Sequence, residues 1–195
     1  MITLKLFPKI VGVFLNENNS SFKNSLAKKC YDYQKQNIQG SKTWVSKVCN
    51  SNSSNLNLYD DKSFNKLLSW IDKKVNEYCQ NLKISSNLNY KYAWFNIYKK
   101  HNFQEYHSHS DSTISAIYYL KGNEKSAKTH FIDFEHQKMN HKFNITEYNE
   151  DNSSSWHMPF EEGKLLVFRS DMFHCVEQHT LVTDRISLAI NYKSI

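Results

Sequence analysis

At 195 residues and 23.1 kDa the chain is long enough for one domain with a sizeable core and too short to divide comfortably into two. Aromatic residues make up 14% of it, with 12 Tyr and 12 Phe against 4 Gly and 2 Pro, which excludes a collagen-like or low-complexity chain. The net charge of +6 would favour an anionic partner, but the lysines are scattered over the whole length and no nucleic-acid-binding motif accompanies them, so nucleic acid is not the expected partner.

The four cysteines, Cys30, Cys49, Cys79 and Cys175, form no Cys-x-x-Cys pair and no dense framework, so reduced thiols and a cytoplasmic setting are expected. No apolar run approaches the roughly 18 residues that a membrane span needs. The apolar N-terminal run is interrupted by Lys5, Pro8 and Lys9 and lacks a small-x-small cleavage site, so it reads as strand and not as signal.

Leu4 to Phe7 and Ile10 to Leu15 are expected to be strands split at Pro8. Asn16 to Ser21 offers turn and N-cap chemistry before a helix over Phe22 to Gln36, with Leu26, Cys30 and Tyr33 on one face. The Ser- and Asn-rich stretch from Asn37 to Asn57 reads as a surface excursion with at most a short strand around Thr43 to Val48. The clearest helix runs from about Asp61 to Asn81. Phe64, Leu67, Leu68, Ile71, Val75, Tyr78 and Leu82 recur at three- and four-residue intervals, which makes one apolar stripe suited to the outside of a sheet. Asp60 or Asp61 can cap its start.

From Leu88 onwards short β-prone runs follow one another: Tyr90 to Tyr98, Thr113 to Leu120, Thr129 to Phe134, Lys164 to Phe168, Phe173 to Glu177 and Arg185 to Tyr192. Helices followed by strands at this spacing predict a mainly β domain, a sandwich or barrel with helices against one sheet. The expected organisation is a single domain over 1–195, with a helical support region at about 1–87 and the β core at about 88–195. The polar insert from Glu135 to Pro159 is a candidate lid or rim.

His107, His109 and Asp111 stand at successive i, i+2 positions just before an apolar run, and in an extended chain they would point to one face and could close on one metal ion. Further on, His174 follows a turn at Ser170 and Asp171. Arg185 opens a last strand that alternates cleanly, with Arg185, Ser187, Ala189 and Asn191 on one face and Ile186, Leu188 and Ile190 on the other. A planar guanidinium beside a hydroxyl suits bidentate capture of a carboxylate. The histidines and Arg185 together therefore outline a metal site beside an anion site. Asn96 and Tyr98 alternate inward with Trp94 on the strand leading to the motif and are candidate pocket residues, with core packing the expectation for Trp94. His101, His130, His136, His141, His157 and His179 are assigned to the surface or rim.

These motifs resemble the iron(II)- and 2-oxoglutarate-dependent oxygenase superfamily, and within it a group whose core reads His-x-His, Ser-Gly-x-Tyr-Tyr, Pro-Ser-x-x-x-His and Arg-Ile-Ser. The resemblance covers roughly residues 90 to 192. It implies a double-stranded β-helix (jelly-roll) core with N-terminal helices on one sheet, and iron(II) and 2-oxoglutarate as cofactors. By position, His107 and His174 correspond to the two histidine ligands, and Arg185 with Ser187 to the clamp on the far carboxylate of 2-oxoglutarate. Tyr119 resembles a tyrosine that related hydroxylases offer to the same cosubstrate. The chain departs from the pattern at Ser110, Ala116 and Arg169, which stand in place of Pro, Gly and Pro. For the third ligand two candidates stay open: His109, as the resembling group suggests, or Asp111, whose carboxylate would complete the facial triad usual for such iron sites. The implied activity is hydroxylation of a substrate that no motif identifies. A non-catalytic jelly-roll that binds a metal or small acid, and a zinc hydrolase on three histidines, are the alternatives.

Overall fold

The computed structural model describes every residue except 3, 5, 37–39, 41–43, 85–86, 141, 143 and 195. Ten strands and three α-helices are present among the described residues: β1 (Val11–Leu15), α1 (Asn19–Lys35), β2 (Cys49–Asn50), α2 (Asn65–Asn81), β3 (Tyr90–Tyr98), β4 (Gln104–His107), β5 (Ile114–Lys121), β6 (Thr129–Ile132), α3 (Phe134–Asn140), β7 (Ser155–Met158), β8 (Lys164–Arg169), β9 (Phe173–Val176) and β10 (Arg185–Lys193). The strands form a major sheet in the order β1-β8-β5-β10-β3-β2 and a minor sheet in the order β4-β9-β6-β7, with every pairing antiparallel. From β3 to β6, and again from β7 to β10, successive strands alternate between the two sheets, which gives the expected jelly-roll.

Strand alternation divides the major sheet into two faces. Phe95, Ile97, Ala116, Tyr118, Leu165, Val167, Ile186, Leu188 and Ile190 meet Leu26, Ala27 and Cys30 of α1 and Leu67, Leu68, Ile71 and Val75 of α2 in the main core. The stripe read from the sequence is therefore the packing face of α2. Asp61 caps the short 3₁₀ turn Lys62–Phe64 that leads into this helix, accepting the backbone N–H of Ser63 at 2.9 Å. The opposite face of the sheet turns Asn96, Ser115, Ala189, Asn191, Arg185 and Ser187 toward the minor sheet, where they line a pocket.

Gly163 closes the turn into β8. Its φ of 89° is a left-handed conformation, and a Cβ there would meet the Asn16 carbonyl oxygen at 2.8 Å.

Two local expectations change. Leu4, Leu6 and Phe7 form no strand, and Phe7 takes φ 58°, outside the β region; strand pairing with β8 begins only at Val11. Thr43 lies outside the described residues, Trp44 to Val48 form no strand, and the pairing segment is instead Cys49–Asn50. The insert carries regular structure as well: α3 leads into it and β7 adds an edge strand to the minor sheet near its end. The four cysteines are buried and form no disulfide among the described residues, and no described helix is long and apolar enough to cross a membrane.

Candidate metal and anion site

β4 and β9 are adjacent antiparallel strands in which His107 lies directly opposite His174. Their imidazole centroids are 4.3 Å apart. The chain leaves β4 at His107, so His109 and Asp111 do not share its strand parity. His109 still folds back, because its backbone N–H is held by the Ser170 carbonyl at 2.8 Å, and its ring centroid lies 5.1 Å from that of His107 and 5.3 Å from that of His174. One nitrogen from each of the three rings falls within 4.8 Å of the others, a spacing that a single ion could bridge. Asp111 is outside the cluster. Its exposed carboxylate pairs with Lys193 at 2.9 Å, and that partner holds it below the usual carboxylate range.

For His107 and His174 the hydrogen bonds fix which ring nitrogen is available. His107 Nδ1 is 2.8 Å from the Glu105 carbonyl and His174 Nδ1 is 3.0 Å from the Met172 carbonyl. A carbonyl only accepts, so both Nδ1 atoms carry the proton and both Nε2 atoms present a lone pair. At His107 that lone pair accepts from the Gln104 side-chain amide at 3.1 Å, while Gln104 Oε1 accepts from the Tyr98 hydroxyl at 2.8 Å. Burial is the main cause that pushes all three histidines down, His109 to about 4 and His174 well below its ordinary value. Neutral imidazoles are the form that binds a metal. Phe131 and Phe168 wall the His174 ring, and Trp94 lies edge-on to His109 at 5.9 Å.

Arg185 lines the same pocket with no exposed surface at all. Its Nε donates to the Ala127 carbonyl at 3.0 Å, and its two terminal nitrogens to Ser187 Oγ at 3.0 Å and Thr129 Oγ1 at 3.5 Å. Tyr98, Tyr119 and Phe160 present their rings to it at 4.7, 5.2 and 5.4 Å. Among the described residues no carboxylate lies within salt-bridge distance. A buried guanidinium without a counter-ion costs several kcal/mol by order of magnitude, and a bound anion would offset that cost.

Of the residues singled out in the sequence, His107, His109, His174, Arg185, Ser187, Asn96 and Tyr98 line one pocket. Tyr119 does not line it. Its hydroxyl donates to Thr129 Oγ1 at 2.8 Å and its ring stacks on Phe160 at 4.6 Å, so it stands behind Arg185. Among the described residues of the insert none reaches this pocket; residues 150, 151 and 153–156 instead wall a separate cleft with the N-terminal segment. Sequence reasoning missed Gln104, whose only signal was its place three residues before His107. Trp94 was expected in the core. Instead it lines the pocket, and its buried indole N–H has no hydrogen-bond partner among the described residues. His179, expected at the surface, is fully buried because both ring nitrogens are used, one on the Thr183 carbonyl at 2.6 Å and the other on the Ala127 N–H at 3.3 Å. His101 and His136 are exposed as expected, and His141 lies outside the described residues.

Residues 92–191, slightly more than half of the chain, match the family model described as 2OG-Fe(II) oxygenase. No curated protein matches the chain by sequence. Among solved structures the chain is similar to a Pseudomonas putida prolyl-4-hydroxylase, with 14% identity, a TM-score of 0.69 and coverage of 96% of this chain and 94% of that one. It is also similar to a Trichoplax adhaerens prolyl hydroxylase solved with a hypoxia inducible factor peptide, at 12% identity, TM-score 0.66 and coverage of 94% and 83%. A third likeness is to HygX from Streptomyces hygroscopicus, solved with nickel and 2-oxoglutarate, at 9% identity, TM-score 0.59 and coverage of 95% and 83%. At these identities the likeness establishes a shared fold.

Proposed function

The chain belongs to the 2OG-Fe(II) oxygenase family, and from that premise we propose that it is a dioxygenase in which His107, His109 and His174 hold iron(II) while Arg185 receives 2-oxoglutarate. The observation that carries this reading is the pairing of a buried, carboxylate-free guanidinium with three converging neutral imidazoles in one pocket. When bound, iron(II) and 2-oxoglutarate would supply the chemistry that uses dioxygen as oxidant, one oxygen atom going to the succinate formed as 2-oxoglutarate loses carbon dioxide and the other converting a substrate C–H to C–OH.

The residues of the chain then have separable tasks. Three neutral imidazoles leave the full charge of a divalent ion uncompensated, and Arg185 adds another positive charge, so the pocket as a whole favours a dianion. Arg185 would take the far carboxylate, with Ser187 and Thr129 beside the guanidinium to hold its plane and Tyr119 behind it as a rigid wall. The Glu105 and Met172 carbonyls keep His107 and His174 in the tautomer that offers Nε2. Gln104 would release the His107 lone pair to the metal while staying tied to Tyr98. The orphan Trp94 N–H is available to a cosubstrate or substrate oxygen, and Phe131, Phe168 and Ile117 exclude water from that side.

A zinc hydrolase would share the three imidazoles, but it has no need of a buried arginine that lacks a carboxylate. The test is succinate formation from 2-oxoglutarate in air, without a prime substrate, by protein loaded with iron(II). Slow turnover that vanishes in His174→Ala is expected. Succinate formation at the same rate in His174→Ala, or none in the wild type at saturating iron(II) and 2-oxoglutarate, would contradict the proposal.

A further inference from the structure

The outer face of the minor sheet carries a second cluster of ligand-type side chains that the oxygenase reading does not use. His130 on β6 and His157 on β7 are directly opposed across the ladder. Their neighbours Thr129 and Phe131 point inward, to Arg185 and His174, so alternation sends both imidazoles to the far side of the sheet. The two ring centroids are 3.7 Å apart at 59°. Glu177, the residue after β9, completes the group, with Oε2 at 3.2 Å from His130 Nε2. Its other oxygen accepts the Lys128 backbone N–H at 2.8 Å, which fixes the carboxylate in place. One potential ligand atom from each of His130, His157 and Glu177 lies within 4.8 Å of the other two.

We propose that His130, His157 and Glu177 form a second divalent-cation site, of the kind that takes Zn²⁺, which clips the edge strand β7 to β6 and to the end of β9. Two imidazoles and one carboxylate are a donor set that Zn²⁺ accepts, with water completing four-coordination at this partly exposed position. An ion pair between His130 and Glu177 accounts for one contact of the cluster. It does not account for His157, whose imidazole makes no hydrogen bond among the described residues yet lies against the His130 ring. Burial, the neighbouring His130 and Lys128 keep the His157 imidazole below its ordinary range, and Glu177 works in the other direction. The charge of Lys128 opposes a cation, whereas the carboxylate of Glu177 supplies a compensation that the three-histidine centre lacks.

The site has a structural consequence. β7 is the edge strand of the minor sheet and among the described residues pairs only with β6, across the connection 133–154. Thr129, which touches Arg185, and Phe131, which touches His174, both belong to β6. A cation on the outside would therefore hold the strand that backs both halves of the inner pocket, and its binding to the folded state alone would raise stability by mass action.

The test uses the full chain in a His174→Ala background, stripped of metal and equilibrated against Zn²⁺ alone, with bound zinc measured after dialysis and thermal unfolding followed with and without the ion. The expected result is one retained equivalent and a Zn²⁺-dependent rise in Tm, both lost on adding His157→Asn and, independently, on adding Glu177→Gln. Either double variant keeping the equivalent and the Tm rise, or the His174→Ala protein binding no zinc, would overturn the proposal. Because the inner centre is already disabled in this background, the result does not depend on which metal that centre takes.

Discussion

Arg185 is the residue on which stability and function pull in opposite directions. With no exposed surface, its charge is met by one backbone carbonyl, two hydroxyls and three aromatic faces, an arrangement that solvates a cation without neutralising it. Replacing a buried ion by an apolar side chain of similar length is often neutral or stabilising, although here the Ala127 carbonyl would lose its donor. Arg185→Met is therefore expected to unfold in urea within about 2 kcal/mol of the wild type. The same variant should lose about 2–5 kcal/mol of 2-oxoglutarate binding, roughly 30- to 5,000-fold, in a cosubstrate titration. A purely structural arginine would show the reverse pattern, with stability lost and cosubstrate affinity kept.

His179 behaves in the opposite way. It spans the Thr183 carbonyl and the Ala127 N–H, and Ala127 is the residue whose carbonyl holds Arg185. His179→Ala leaves the buried Ala127 N–H unpaired, while the carbonyl of the exposed Thr183 can turn to water, and is expected to cost about 1–3 kcal/mol in chemical denaturation. Nothing in the sequence distinguished this histidine from the exposed His101 and His136, because its burial depends on the loop before β10 folding back over Asn102.

At the scale of elements, Asp61 joins the helices. It accepts from Tyr33 of α1 at 2.6 Å, lies 3.5 Å from Lys29, and caps the turn that opens into α2. Burial raises its pKa, but hydrogen bonds from Tyr33 and Ser63 and the charge of Lys29 outweigh it and hold the group at about 2, below its unfolded value of 3.8. The unfolded chain binds the proton more readily, so this contribution is fully present above pH 4 or so and fades as the pH falls through about 2. Asp61→Asn should lower stability at pH 6 and flatten its loss between about pH 4 and 2, as read from denaturation midpoints at both ends of that range. An unchanged acid limb would mean that another carboxylate governs it.

Elements with a closed periodic pattern were the legible ones. The stripe of α2 and the alternation of β10 appear in the sequence because each faces a core that demands apolar side chains at a fixed period. The segment 44–57 was opaque for the complementary reason: it is held by asparagine side chains, Asn50 to Asn96 at 2.7 Å and Asn57 to the Ala93 N–H at 3.0 Å. Polar groups of that kind read as loop until their partners are known. Strand parity also misled at β4, where extension stops at His107; His109 reaches the cluster through a turn tied to Ser170, and Asp111 turns out to Lys193. Cross-strand neighbours such as His130 and His157 were invisible, since register between β6 and β7 spans an insert whose length carries no pairing information.

For the whole molecule, the two sheets divide the work. The major sheet is packed by helices on one face and contributes Arg185, Ser187 and Trp94 from the other, while the minor sheet contributes His107 and His174 across a single ladder. The pocket therefore exists only when both sheets are formed and face each other. The central claim, that this pocket binds iron(II) and 2-oxoglutarate together through His107, His109, His174 and Arg185, is tested most directly without oxygen. Adding 2-oxoglutarate to the anaerobic iron(II)-loaded protein should produce a visible charge-transfer band that is absent in His174→Ala and in His109→Ala, remains in Asp111→Ala, and needs far higher cosubstrate concentrations in Arg185→Met. No band in the wild type, or an undiminished band in His109→Ala with loss in Asp111→Ala, would contradict it.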